Sequence, residues 1–119
     1  MARILLVEDD ESLRRFLTQA LKRANHDVTD YGDGDAAYNC IRNFRFDLLL
    51  TDIVMPGMDG IELAKHAAEL DPALKIMFIT GFAAVALHPA AGAPKHAKVL
   101  SKPFHLRDIV AEVDRMVAA

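Results

Sequence analysis

Residues 48–60 read Leu48-Leu49-Leu50-Thr51-Asp52-Ile53-Val54-Met55-Pro56-Gly57-Met58-Asp59-Gly60, and their order decides the fold. A short apolar run bounded by a Pro/Gly cluster is the pattern of a strand covered on both faces. That run ends in a carboxylate, which costs free energy at an apolar boundary unless a cation or hydrogen bonds meet it. Asp52 therefore either caps a turn, a common use of aspartate, or is delivered by the strand to the mouth of a site.

Working outward, apolar runs and helical patterns alternate. Ile4 to Val7 is continuously apolar, and Leu13, Phe16, Leu17, Ala20, Leu21 and Ala24 then recur at helical spacing opposite Arg14, Arg15, Lys22 and Arg23. Val28–Tyr31 is a weaker strand, and Ala37, Cys40, Ile41 and Phe44 mark the apolar side of a second helix. A third helix over Ile61–Leu70 is stopped by Asp71-Pro72. Lys75–Thr80 and Val99–Ser101 are the fourth and fifth strands, and Leu106, Ile109, Val110, Val113 and Val117 make a final amphipathic helix. Five β-then-α units predict a doubly wound parallel α/β sheet in one domain. The fourth unit departs from the pattern, because Pro89, Gly92 and Pro94 crowd its second half. Its helix is expected to be short or irregular, ending near Leu87, since interior proline costs about 3 kcal/mol and glycine about 1.

Composition narrows the classes. The chain has 119 residues, 52% hydrophobic and 26% charged, with a formal net charge of −3. That length suits one core, and the acidic balance gives no electrostatic reason to expect nucleic acid as a partner. One cysteine, Cys40, excludes an intrachain disulfide and fits a reducing compartment. It is read as a small core hydrophobe. "MARILLVEDD" is too short in apolar residues for a signal segment, and no stretch is long enough to span a bilayer. The expectation is a cytoplasmic protein without a membrane partner.

In a parallel sheet the C-terminal strand ends share one edge, where ligands bind. Strand one brings Glu8 and Asp9 to it, strand three Asp52, strand four Thr80, and strand five leads into Lys102. Three carboxylates repel unless a cation lies among them, and hard oxygen donors suit Mg²⁺. Lys102 and Thr80 add a positive charge and a hydroxyl for anionic oxygens. The set is that of phosphoryl transfer to a carboxylate, where positioning and charge stabilisation are the protein's main task. Asp52 is thus read as a nucleophile.

The motifs "ILLVEDD", "LLLTDIVMPGMDG", "MFITG" and "LSKPF" together resemble the response-regulator receiver family of two-component signalling, across the whole chain. The resemblance implies a (βα)5 flavodoxin-like sheet of strand order 2-1-3-4-5, a receiver domain over residues 1–119, and no output domain. It implies Asp52 as the phosphorylated residue, with Asp9, Asp52 and the Val54 backbone carbonyl ligating Mg²⁺ and Glu8 acting mainly through a water on the metal. Thr80 and Lys102 would contact the phosphoryl group, with a cis Lys102–Pro103 bond. A histidine kinase or histidine phosphotransferase is the implied phosphodonor. Asp10 is read instead as an acid near the first helix's N-terminus, favourable with its dipole.

Two departures carry consequences. Where many receivers have an aromatic three residues before the site lysine, this chain has Val99, so that side chain cannot report phosphorylation by swinging inward. The positions two beyond Asp52 and two beyond Thr80 tune hydrolysis in the family. Here they are Val54 and Phe82, which cannot orient water by hydrogen bonding, so a persistent phosphoryl group is expected.

The remaining motifs have plainer readings. "YGDGDAA" imitates a dinucleotide fingerprint but follows the second strand, and Asp33 and Asp35 would repel a pyrophosphate; a loop with turn glycines is the plainer reading. A haloacid-dehalogenase-type aspartyl-phosphate phosphatase needs a second acid two residues beyond the nucleophile, where Val54 stands. His88, His96 and His105 fit no compact metal site, and Met55, Met58, Met77 and Met116 read as packing. The basic face of the first helix is by default solvated, and in the family that helix also helps dock the phosphodonor.

No enzyme activity beyond self-phosphorylation is expected. Downstream, phosphorylation would switch binding of a target protein through Phe82, Val85, Leu87 and Val99, or the chain would shuttle phosphoryl groups between histidine phosphotransferases or act as a phosphate sink. "TGFAA" and the interrupted fourth helix more loosely resemble the CpdR type of α-proteobacterial single-domain receiver. That implies an adaptor for the AAA+ protease ClpXP, active when unphosphorylated. The closing Val117-Ala118-Ala119 resembles the apolar tails such unfoldases accept, although the frayed end of the last helix is the favoured reading.

Overall fold

The structure is a computed structural model, and it describes residues 2–81 and 92–118. The described elements are β1 (Arg3–Val7), α1 (Glu11–Arg23), β2 (Asp27–Tyr31), α2 (Gly34–Asn43), β3 (Leu48–Asp52), α3 (Gly60–Leu70), β4 (Lys75–Thr80), β5 (Lys98–Ser101) and α4 (Leu106–Ala118). All strands pair in parallel, in the order β2-β1-β3-β4-β5. The doubly wound sheet expected from the alternating pattern is therefore present. The expectations for a short fourth-unit helix, and for Phe82, Val85 and Leu87, fall outside the described residues.

The central strands are apolar along their length because each side chain has a helix layer to meet. Alternate residues point to opposite faces. Leu5, Val7, Leu49, Ile76 and Phe78 pack with Ala37, Cys40, Leu63, Ala64 and Ala67 of α2 and α3. Ile4, Leu6, Leu48, Leu50, Met77 and Ile79 pack with Leu17, Leu21, Ile109 and Val113 of α1 and α4. Cys40 is buried as a core residue, as its helical position implied.

Three helices start on the same device. Asp10, Asp33 and Asp59 are the N-caps of α1, α2 and α3, and each carboxylate accepts from a backbone N–H three residues on. Such caps satisfy one of the four open donors of a first turn. Asp10 is thus the helix-terminal acid expected of it, held by a defined bond to the Leu13 N–H at 3.1 Å.

Two apolar assignments are corrected. Phe16 and Phe44, each expected on a buried helix side, are both 58% exposed. Phe16 lies at the margin of the α1 stripe, whose buried residues are Leu17 and Leu21. Phe44 is the C-cap of α2 with extended backbone angles, so helical spacing no longer describes its direction. The glycines of "YGDGDAA" are also explained differently. Neither Gly32 nor Gly34 has a positive φ, so no turn demands them. A Cβ on Gly34 would lie 2.3 Å from the Met58 carbonyl oxygen, and one on Gly32 would lie 2.7 Å from Arg14 Nη1. At Gly34 a backbone carbonyl occupies the space, whereas at Gly32 a side chain would have to push the Arg14 guanidinium aside.

Candidate functional site

The parallel topology carries the C-terminal ends of β1, β3, β4 and β5 to one edge, and the expected residues meet there. Glu8 follows β1 and is completely buried; Asp9 beside it is exposed. Asp52 is the last residue of β3 and is 7% exposed. One carboxylate oxygen from each of the three lies within 4.8 Å of the others.

Lys102 answers this concentration of charge. Its Nζ donates to Asp52 Oδ2 at 3.0 Å and to Glu8 Oε1 at 3.2 Å. Its backbone is placed by β4, since the Lys102 N–H donates to the Thr80 carbonyl at 2.8 Å. The Lys102–Pro103 peptide is cis, as the resemblance implied. Thr80, the last residue of β4, is fully buried and opposite Ser101 of β5.

The aspartate is held from its other side as well. Asp52 Oδ1 accepts from the Ile53 N–H at 2.7 Å. Gly60 opens α3 against the same peptide: its N–H donates to the Ile53 carbonyl at 2.8 Å, and a Cβ there would stand 1.9 Å from the Asp52 carbonyl oxygen. The loop between β3 and α3 turns at Gly57, whose φ is 73°, a left-handed value that favours glycine. Val54, whose carbonyl was expected to complete the metal ligands, is the second residue of this loop and is 56% exposed.

Burial raises the pKa of Glu8 most; the neighbouring charge of Asp52 and a bond with Asp9 add to the rise. The Asp10 N–H and Lys102 act against it, and the net value is pushed up to about 7. For Lys102 burial alone would lower the pKa. The hydrogen bonds to Asp52 and Glu8 outweigh it, and the net shift is upward. Lys102 is therefore a firmly held cation, bonded to the very carboxylates that crowd the edge.

These donors fit a hard divalent cation. All are oxygens and two are buried, and the cluster carries more negative charge than one ammonium neutralises. Glu8, Asp9 and Asp52 are the side chains that would hold Mg²⁺.

The remaining candidates do not join this cluster. Val99 lies in β5 opposite Phe78 and packs, half-buried, against the core on the α2–α3 face. His96 and His105 are exposed, His96 Nε2 lying 3.2 Å from the Leu74 carbonyl oxygen; His88 is outside the described residues. Met77 and Met55 are buried, and Met58 and Met116 pack at the margins of the two core layers, as expected of packing residues.

Sequence reasoning missed two long-range polar contacts, one made by the buried His26 and one by the partly buried Arg14. His26 bridges the opposite edge of the sheet: Nδ1 accepts from the Ala2 N–H at 3.2 Å, so Nε2 carries the proton shared with Asp114 Oδ1 at 2.7 Å. Arg14, read as part of a solvated basic face, has a side chain only 22% exposed and bonds to Asp30 and to the Glu8 backbone. Neither arrangement has a local sequence signal. Among the described residues no helix is long and apolar enough to cross a membrane.

Comparison with known proteins agrees with this geometry. The family model described as "Response regulator receiver domain" matches residues 4–114. The "Response regulator receiver protein CpdR" of Brucella abortus is 62% identical over 119 residues, covering all of this chain and 99% of the relative. A response regulator receiver protein from Sinorhizobium medicae superposes with a TM-score of 0.88 at 29% identity, over 98% of this chain and 94% of the other. A CheY-like receiver domain protein from Methanospirillum hungatei gives 0.86 at 29% identity, over 99% and 94%. The chain belongs to the response-regulator receiver family of two-component signalling.

Proposed function

We propose that Asp52 is the phosphoacceptor of this receiver, with Mg²⁺ held by Glu8, Asp9, Asp52 and the Val54 carbonyl. The observation that carries the reading is the single ammonium of Lys102 shared between Asp52 Oδ2 and Glu8 Oε1. A cation poised on the nucleophile is placed to follow the phosphoryl oxygens once the carboxylate becomes an acyl phosphate. An Asp52 oxygen attacks the phosphorus of a phosphohistidine on a kinase or phosphotransferase. The P–O bond forms as the P–N bond breaks, and the freed imidazole nitrogen takes up a proton. Lys102 then pairs with the phosphoryl oxygens, and the Thr80 hydroxyl donates to one of them. Mg²⁺, when bound, supplies further positive charge against those oxygens. With Val54 and Phe82 at the hydrolysis-tuning positions, the acyl phosphate is long-lived.

Intact-protein mass with acetyl phosphate, with and without Mg²⁺, tests this. Wild type gains one phosphoryl group only with the metal, and Asp52→Ala gains none. A wild type that stays unmodified by both acetyl phosphate and its cognate donor overturns the reading.

Downstream, the reading is a phosphorylation-controlled adaptor for ClpXP, active when unphosphorylated, with its target surface at Phe82, Val85, Leu87 and Val99. Whole-length 62% identity to a CpdR protein, with the motifs that resemble that type, supports it. Reconstituted ClpXP degradation should require the unphosphorylated chain. If neither state matters, phosphorelay shuttling or a phosphate sink takes its place.

A further inference from the structure

Glu8 and Asp9 sit on a short connection, and an acid pair on free backbone would spread apart under its own repulsion. Besides the Lys102 bond at Oε1, the Glu8 unit is tied down at three further atoms. Its N–H donates to the Tyr31 carbonyl at 3.1 Å, and Oε2 accepts from the Asp10 N–H at 3.1 Å. Its carbonyl accepts from Arg14 Nη1 at 2.8 Å. This last bond fixes the peptide joining Glu8 to Asp9, and so the plane from which the Asp9 side chain departs.

The guanidinium is itself aimed. Nε is 3.1 Å from Asp30 Oδ2, and Asp30 lies in β2 opposite Leu6 of β1. Nη1 passes over Gly32, where a Cβ would stand only 2.7 Å away. The backbone of Arg14 belongs to the same unit, its N–H donating to the Asp10 carbonyl at 2.9 Å. A planar fork that reaches a carboxylate and a carbonyl together is an arginine geometry that lysine does not reproduce.

We propose that Arg14 is a positioning residue for the acidic edge: oriented by Asp30 and admitted by Gly32, it clamps the Glu8–Asp9 peptide so that both acids address one cation. The inference rests on the Mg²⁺ reading above. Its electrostatic sign makes it decidable. Arg14 is a positive charge near a cation site, so deleting it by charge alone would tighten Mg²⁺ binding. Loss of positioning weakens binding instead, and partners behind metal ligands are typically worth roughly 10- to 100-fold in affinity.

The experiment is calorimetric Mg²⁺ titration of the full chain, with hydrogen exchange of the metal-free segment containing residues 8–10. Wild type, Arg14→Ala, Arg14→Lys, Gly32→Ala and Arg15→Ala are compared. Arg14→Ala should lose roughly tenfold in Mg²⁺ affinity and exchange faster at residues 8–10. Gly32→Ala, which keeps every charge but pushes the guanidinium aside, should weaken binding in the same direction. Arg14→Lys should restore only part of the loss, and Arg15→Ala, whose exposed side chain pairs with Glu11, should match wild type. Gly32→Ala also decides the matter should Arg14→Ala fail to fold. Unchanged or tighter Mg²⁺ binding in folded Arg14→Ala or Gly32→Ala overturns the clamp while leaving the phosphoacceptor reading intact. A wild type that binds no Mg²⁺ overturns both.

Discussion

Lys102 Nζ lies 3.0 Å from Asp52 Oδ2, across 50 positions of sequence. The same ammonium holds Glu8, 94 positions away. On the proposed reading, lysine and metal would compete for the same oxygens before phosphorylation and act together on the phosphoryl group after it.

Lys102→Met separates these two roles. Removing the competing ammonium should tighten Mg²⁺ binding, and removing the charge on the phosphoryl oxygens should slow phosphorylation by roughly 100-fold or more. Mg²⁺ calorimetry and a phosphorylation time course by intact mass read the two effects. A variant that phosphorylates at the wild-type rate would contradict the role given to the lysine.

The raised pKa of Glu8 makes metal-free stability pH-dependent. Its ordinary value is 4.5 and its folded value about 7, so between these the folded state holds more of the proton than the unfolded chain does. This contribution is fully present below 4.5 and declines as pH rises toward 7. Urea unfolding at pH 5 and pH 7.5 should show it, and Glu8→Gln should flatten that part of the profile. An unchanged pH difference in Glu8→Gln would count against a proton on Glu8.

Gly60 and Gly81 provide a matched pair. Gly60→Ala would drive a Cβ to 1.9 Å from the Asp52 carbonyl oxygen, whereas Gly81→Ala meets nothing within 4 Å among the described residues. Gly60→Ala should lose about 1–3 kcal/mol or more, the usual range for overpacking, and phosphorylate poorly because the Asp52 peptide must move. Gly81→Ala should be neutral or stabilising by up to about 1 kcal/mol. Thermal melts of the two variants check the contrast.

His26 lies at the sheet edge opposite Asp52, so its loss should affect stability alone. His26→Ala leaves the buried Ala2 N–H without its partner, at a cost of about 1–3 kcal/mol, while the half-exposed Asp114 turns to solvent. Asp114→Asn, which keeps an acceptor at that position, should cost less. Both variants should phosphorylate at the wild-type rate, and slowed phosphorylation would reveal coupling between the edges.

The elements and the acid edge were legible because their signals are local. Ile4–Val7 and Leu48–Leu50 are apolar without interruption because helices cover both faces, and composition records that directly. Asp52 at the end of such a run, with Glu8, Asp9, Thr80 and Lys102 at corresponding strand ends, follows from parallel topology. Phe16 and Phe44 were misplaced because periodicity gives the direction of a helix face but neither its width nor the residue where helical direction stops.

By itself the sequence determined the alternation of strands and helices, the acid at the start of the first helix, and which residue types reach the strand-end edge; each depends on backbone periodicity or on bonds within three or four residues. Only the tertiary structure decided that Arg14 leaves its solvated face for the Glu8 carbonyl, that Gly32 and Gly34 are small because Arg14 and Met58 approach them, and that His26 joins Asp114. Those contacts depend on the distance between separate elements, which packing sets and no sequence period encodes.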